Sequence, residues 1–312
     1  MIVALAGGVG GAKLADGLAQ LFGDAVTVIV NTADDFEHLG LNISPDLDTV
    51  MYTLGGIANP QTGWGVAGET WTFLDQIARL GGPTWFRLGD RDLATHVLRG
   101  AALRAGGRLT AVTADLCRRL GIAARVLPMS DDAVRTIVHS ADGDLAFQEY
   151  FVGRHCDVPV TGFAFAGIER ARPTMEVEAA LRAAELDAII LCPSNPFVSI
   201  DPILSLPGMR QLLGAPGVPV VAVSPIIGGA AVKGPAAKMM RELGFEPSAA
   251  SVAAHYRGLV TGFVMDTADA ALAPAVEVQG MTVTVTGTVM RTNADRLRLA
   301  EECVAFARRL RR

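Results

Sequence analysis

The stretch MIVALAGGVGGAKLADGLAQLFGDAVTVIVNTADD, residues 1–35, decides the fold. Ile2 to Ala6 is an unbroken apolar run of strand length, Gly7 to Gly11 a glycine-rich loop, and Lys13 to Leu21 an amphipathic helix. Val26 to Val30 is a second strand, rich in β-branched residues and ending in Asn31. A strand, helix and strand of this length form a right-handed crossover and hence a parallel sheet. The expected fold class is therefore α/β: a doubly wound, mostly parallel, Rossmann-like sheet. Outward from this unit, helical patterns are expected at Glu69 to Leu80, Asp92 to Ala105, Thr113 to Leu120 and Val177 to Leu186. Strands are expected at Ala188 to Leu191, Pro219 to Val223, Val276 to Val278 and Thr282 to Val285, with a last helix capped by Asn293. Between about 130 and 170 the rhythm changes. Arg135 to His139 and Ala146 to Phe151 flank a glycine-containing turn, and Val160 to Ala166 supplies a third strand. This reads as a β-hairpin region inserted into one domain spanning 1–312.

Of the 312 residues, 50% are hydrophobic and 19% charged, with a mean hydropathy of +0.35. No apolar run reaches the length of a membrane span, so the excess belongs to buried parallel strands. The amino terminus lacks a basic leader, and Cys117, Cys156, Cys192 and Cys303 are scattered without metal-site spacing, which points to reduced thiols and a cytoplasmic protein. A net charge of −5 without a basic cluster argues against nucleic acid as a partner, and nothing points to a membrane. The apolar composition leaves room for a homodimer.

In an open parallel sheet ligands bind beyond the carboxyl ends of the strands. Four such loops carry polar, backbone-permissive sequence. The first, Gly7-Gly-Val-Gly-Gly-Ala-Lys13, brings Gly8, Gly10, Gly11 and Lys13 to the start of a helix, where backbone N–H groups and the helix dipole favour phosphate. It is neither a Walker A loop nor GxGxxG, and a plain tight turn is the competing reading. The second holds Asp34 and Asp35, then Asp46 and Asp48, four carboxylates within fifteen residues. Carboxylate oxygens suit Mg²⁺. If Ser44 to Thr49 is extended, Asp46 and Asp48 project to one side; alternatively Ser44-Pro45 starts a helix. The third, Arg87-Leu-Gly-Asp-Arg-Asp92, is either a capping and ion-pair device or a clamp in which Arg87 and Arg91 grip phosphate or carboxylate. The fourth pairs Ser194 and Asn195 with Ser224 and Gly228, placed to read a base or ribose unless they only turn the chain. The five histidines form no motif, and no nucleophile elbow is present. The chemistry implied is positioning and charge neutralisation, as in phosphoryl transfer.

Together, GGVGGAKLADGL, NTADDFEHLG, SPDLDTVMYTL, RLGDRDLATH, LPMSDD, PSNPFVSIDPILSLPGMR and SPIIGGAAVKGPAAK resemble one family, the phospholactate transferases called CofD. The blocks run from residue 4 to about residue 240. The resemblance implies transfer of a phospho-acid group (2-phospholactyl or phosphoenolpyruvyl type) from a guanosine diphospho-acid to 8-hydroxy-5-deazaflavin riboside (Fo), with GMP released. It implies that Asp48 and Arg87 contact Fo, that Asp34 with Asp48 binds Mg²⁺, and that the glycine-rich, PSNP and SPIIGG loops hold the guanine nucleotide. Asp46 or Asp48 would serve as base if not committed to the metal. Two other classes compete: a related non-enzymatic nucleotide-sugar-binding regulator, opposed by SPDLDT and LGDRD, and a nicotinamide-dependent oxidoreductase, opposed by the failed GxGxxG pattern.

Overall fold

The structure, a computed structural model, describes residues 1–214 and 217–311. Seven parallel strands form the central sheet: β1 (Ile2–Ala6), β2 (Val26–Val30), β3 (Arg125–Pro128), β4 (Ala188–Leu191), β5 (Val220–Val223), β6 (Gly262–Met265) and β7 (Thr282–Val285). Their spatial order is β7-β6-β5-β4-β1-β2-β3. The chain winds outward from β1 through β2 to β3, then returns to the far side of β1 and winds the other way. The direction reverses between β1 and β4, and that reversal opens a crevice at the carboxyl ends of these two strands.

β1 shows why its residues are apolar throughout. Val3 and Leu5 face one core layer, with Leu181, Ile189 and Phe263; Ile2, Ala4 and Ala6 face the other, with Leu14, Val50 and Val304. The second layer is made by three helices: α1 (Gly8–Phe22), α2 (Pro45–Leu54) and the carboxyl-terminal helix, α4 (Asn293–Leu310). The remaining helix that matters here, α3 (Asp90–Arg104), lies between α2 and α4 in the chain and packs beside the acidic loop. Helix α1 lies close to α4 because Gly17 has no side chain; a methyl group there would strike the Arg296 carbonyl oxygen and Ala300.

The inserted region is a three-stranded antiparallel sheet of Arg135–Ser140, Gly143–Ala146 and Val160–Ala166. Its second strand ends at Ala146 rather than continuing to Phe151, because Glu149–Gly153 turns as a π-helical segment. Other expectations are also corrected. The glycine stretch is not a loop: α1 begins at Gly8, whose φ of +63° turns the chain out of β1. Val276–Val278 is not a strand, since Pro274 starts a short helix, Ala273–Glu277. The cap of α4 is Thr292, not Asn293: its hydroxyl accepts from the Asp295 N–H while Asp295 reaches back to the Thr292 N–H. β3 and β6 are not anticipated: β3 carries Arg125 and ends in Pro128, and β6 opens on Gly262, residues that weaken a strand signal. Among the described residues no helix is long and apolar enough to cross a membrane.

The close approach at Gly17 yields the first test. Gly17→Ala forces α1 and α4 apart and is expected to destabilise the fold by about 1–3 kcal/mol. Thermal melting would show it; an unchanged melting temperature would mean that the helices part freely.

Candidate functional site

The β1 and β4 loops meet directly. The Gly7 N–H donates to Ser194 Oγ at 3.1 Å, and a methyl group at Gly10 would strike the Pro193 carbonyl oxygen. A methyl group at Gly11 would strike Ser194 Oγ and Ala6. Gly10 is therefore a glycine because backbone approaches backbone, and Gly11 because the Ser194 hydroxyl and Ala6 leave no room for a side chain. Lys13, one turn on, leans across to the Met290 carbonyl at 2.8 Å.

Helix α2 decides the acidic group. Ser44 precedes it and Pro45 occupies its first turn, so the helical alternative holds and the extended one does not. Two residues apart on a helix means about 200° around its axis, so Asp46 and Asp48 point to different neighbours. Asp46 faces the sheet. It accepts from the Gly8 N–H at 2.7 Å and from Asn31 Nδ2 at 3.0 Å, which also donates to the Val198 carbonyl at 3.1 Å. Burial raises the Asp46 pKa to about 6 against the pull of those two donors. Asp48 faces α3, where the buried Arg99 guanidinium takes both its oxygens, Nη1 at 3.1 Å and Nη2 closer still. Burial opposes the charge on Arg99, but Asp48 outweighs it and holds the guanidinium above its ordinary pKa. His96 lies 3.7 Å from Asp48 and 3.2 Å from Asp92, and Tyr52 donates its hydroxyl to Asp92 at 2.6 Å.

Asp34 and Asp35 line a cavity of about 680 Å³, walled by Phe36, Trp85 and Phe147 and by Arg135 of the inserted sheet. Ser44 Oγ donates to Asp35 Oδ2 at 2.7 Å, while Oδ1 of Asp35 and Oδ1 of Asp34 are buried with no hydrogen-bond partner. Burial pushes the Asp35 pKa up to about 7 despite Ser44. Burial, then the nearby charge of Asp46, raises Asp34 well above the carboxylate range.

Two sets of oxygens can be tested against a hard cation. Ligand atoms of Asp48, Asp92 and His96 lie within 4.8 Å of one another. That group already contains the Arg99 charge, and a divalent ion beside a guanidinium is repelled. The charges of Arg99 and Arg135 also reach Asp35, but among the described residues neither Asp34 nor Asp35 has an ion pair, and each buried carboxylate presents an unsatisfied oxygen. A buried charge of that kind is normally paired or bound to metal, so the pair fits a cation better. The residues foreseen as the metal pair, Asp34 and Asp48, thus stand in different surroundings.

The arginine segment is largely a capping device. Asp90 accepts from the Thr72 and Phe73 N–H groups at the start of the helix Thr72–Arg79, and Glu69 accepts from the Arg91 and Asp92 N–H groups at the start of α3. Arg91 donates to the Ala67 carbonyl at 2.9 Å. Arg87 is exposed and stacks its guanidinium 4.1 Å from the Trp71 ring centre, without an ion pair among the described residues. Asn195 caps its own turn through the Phe197 N–H, Ser224 bonds Ile226, and the Gly228 N–H donates to Asp269. The unforeseen residues are Asn31, Arg99, His96 and Arg135. For two of them a signal existed: Asp92, His96 and Arg99 at helical spacing make a polar stripe on one face of α3.

Comparison with known proteins bears on the chain as a whole. The family model of 2-phospho-L-lactate transferase CofD matches residues 2–298. A phosphoenolpyruvate transferase of Streptomyces griseus subsp. griseus is 47% identical, with 90% of each chain covered. Its namesake from Streptomyces coelicolor is 44% identical over 99% of each, and that of Mycobacterium avium 43% identical over 82% and 83%. A crystal structure of a UPF0052 family member from Bacillus halodurans superposes with a TM-score of 0.63 at 15% identity, covering 97% of this chain and 98% of that one, which shows a shared fold.

Two tests follow from the buried charges. Arg99→Met leaves Asp48 buried without its counter-ion and is expected to cost about 3–5 kcal/mol, whereas Arg99→Met with Asp48→Leu recovers most of it. Denaturant unfolding of the single and double variants checks this; equal losses would show that the pair is not coupled. The second concerns pH. With a folded-state pKa near 7 against a usual 3.8, Asp35 keeps a proton in the folded protein that the unfolded chain has released. Stability in chelator should therefore fall as pH rises from about 4 to 7, by at most about 1.4 kcal/mol per pH unit for each such group. Asp35→Asn should flatten that slope in melting curves; an unaltered slope would remove Asp35 from the account.

Proposed function

The chain belongs to the CofD family, and we propose that it transfers a phosphoenolpyruvyl group from a guanosine diphospho-acid to the terminal ribityl hydroxyl of Fo, releasing GMP. The observation that carries this reading is the cavity beside Asp34 and Asp35: aromatic walls suited to a flat ring system, with two buried, unsatisfied carboxylate oxygens at the edge. The phosphoenolpyruvyl donor is preferred over the 2-phospholactyl one because the relatives at 43–47% identity bear the name phosphoenolpyruvate transferase.

The acceptor hydroxyl attacks the phosphorus that carries the acid, the phosphoanhydride bond to GMP breaks, and GMP and a proton depart. Phe36, Trp85 and Phe147 would sandwich the deazaflavin and shield it from water. Asp34 and Asp35 would hold Mg²⁺, whose chemistry is to neutralise the charge that builds on the diphosphate. Arg87, exposed and bound only through a ring face, keeps its planar fork free for the acceptor or donor. Asp48, committed to Arg99, would act by holding α3 and its His96 against the acidic loop. Asp46 would keep the first turn of α1 in place from below.

Incubation with Fo, Mg²⁺ and guanosine diphospho-enolpyruvate, followed by mass spectrometry, should yield the phosphodiester of Fo and an equal amount of GMP. Turnover with the lactyl donor alone would correct the donor; no product with either, in a protein that binds neither Fo nor GDP, would reject the reading. Within it, Asp34→Asn should abolish binding of Mn²⁺ measured by electron paramagnetic resonance and slow transfer about 10²–10³-fold. Retained Mn²⁺ binding there, with loss in Asp92→Asn, would move the cation to the α3 group.

A further inference from the structure

The inserted sheet is fastened to the acidic turn. The Thr136 N–H donates to the Ala33 carbonyl at 2.7 Å, and Gln148 Nε2 reaches the Asp34 carbonyl at 3.4 Å. Thr136 is buried against this junction, so the preceding residue, Arg135, is fixed at its edge. Strand register keeps it there: Arg135 lies opposite Ala166 and Thr136 opposite Phe165 in the inserted sheet. The Arg135 side chain lines the same cavity as Asp34 and Asp35.

Two arginines stand in the wall of that cavity, and one of them is occupied. Arg154 pairs with Glu149 at 3.2 Å. Arg135 has no ion pair among the described residues, and its side chain donates from Nη1 to the carbonyl of its own neighbour, Val134, at 2.7 Å. Asp35 on the same wall is not its partner, since Oδ2 of that carboxylate accepts from Ser44 and Oδ1 has no hydrogen-bond partner. A guanidinium offers five N–H donors in a planar fork. One backbone carbonyl leaves most of that fork for whatever fills the cavity.

A cation of this kind calls for an anion, and the fork matches a carboxylate through two parallel hydrogen bonds. In the reaction proposed above, Fo is a riboside without carboxylate or phosphate, so the anion belongs to the donor. The donor carries a diphosphate and a carboxylate. In a 2-phospho acid the carboxylate sits on the carbon that bears the ester oxygen, close to the phosphorus under attack. A group that grips it must stand beside the acidic turn and at the edge of the acceptor cavity, which is where the Ala33–Thr136 bond holds Arg135. We propose that Arg135 is a specificity-determining residue that selects a phospho-acid as the transferred group by taking its carboxylate bidentately. This rests on the transferase reading and deepens it. Lactyl and enolpyruvyl groups share the carboxylate, so Arg135 separates both from carboxylate-free phosphate esters and does not choose between them.

The test is calorimetric titration into parent, Arg135→Met and Arg135→Lys proteins, with melting curves. The ligands, each added alone, are guanosine diphospho-enolpyruvate, the ethyl ester of GDP at its terminal phosphate, GDP, phosphoenolpyruvate and Fo. Arg135→Met should weaken the diphospho-enolpyruvate donor about 10- to 100-fold and leave the ethyl ester, GDP and Fo unchanged, at the parent's melting temperature. The parent should prefer the acid donor over the ethyl ester by that same factor, and Arg135→Met should not prefer it. Arg135→Lys should recover only part of the loss, because an ammonium keeps the charge without the fork. Equal affinity for the acid donor in parent and Arg135→Met, a loss confined to Fo, or an equal loss for every ligand with a lowered melting temperature would each overturn the proposal. A parent that binds phosphoenolpyruvate through Arg135 but neither GDP nor Fo would keep the carboxylate subsite and overturn the transferase reading; a parent that binds none of the five ligands would overturn both.

Discussion

The carboxylate of Asp46 ties the site together. One oxygen takes the Gly8 N–H at the point where β1 becomes α1; the other takes the Asn31 side chain at the end of β2. Asn31 passes the connection to the Val198 carbonyl beyond β4 and closes its own turn with the Ala33 N–H. One buried side chain on α2 thereby fixes the relative positions of the loops after the three strands around the crevice. Its burial has a cost, visible in its raised pKa, and that cost is offset by two directed donors rather than by a full counter-charge.

The same crowding explains the uneven treatment of the other acids. Asp48, on the opposite side of α2, receives the buried Arg99 and is neutral as a pair. Asp34 lies within reach of Asp46's charge and Asp35 of Asp48's, and each keeps a buried oxygen without a hydrogen-bond partner. A folded chain keeps such an arrangement only if protons or a cation complete it.

The sheet was legible because its signal is local. An apolar run of five, a glycine break, a helix of period 3.6 and a second β-branched run allow one topology, and the reversal at β1 follows from continuing it. β3 and β6 escaped because Arg125 and Pro128 bound the one and Gly262 opens the other, residues that weaken a strand signal. The glycine stretch reads as a strand-to-helix junction, but its packing role was not legible. Gly10 and Gly11 admit the β4 loop, an interaction across more than 180 residues that no local pattern encodes. Arg99 was invisible for a related reason: in sequence it is one more charged residue on a helix, and only its partner on α2 makes it the centre of a buried pair.

The spacing of Asp46 and Asp48 shows how one backbone choice redistributes chemistry. On an extended segment both acids would point toward one ion, and a two-carboxylate metal site would be the natural reading. Ser44 and Pro45 turn the segment into a helix, and the same two residues part by about 200°. Asp46 then becomes a strut under α1 and Asp48 a counter-ion for α3, while the task of offering free oxygens passes to Asp34 and Asp35 in the turn after β2. The turn is suited to it. Its backbone is held by Asn31, its side chains need satisfy no helix, and it faces a cavity large enough for a ring system and a phosphate together. Acid count alone is therefore a poor guide to where a cation sits; the deciding quantity is how many oxygens the fold has left unpaired.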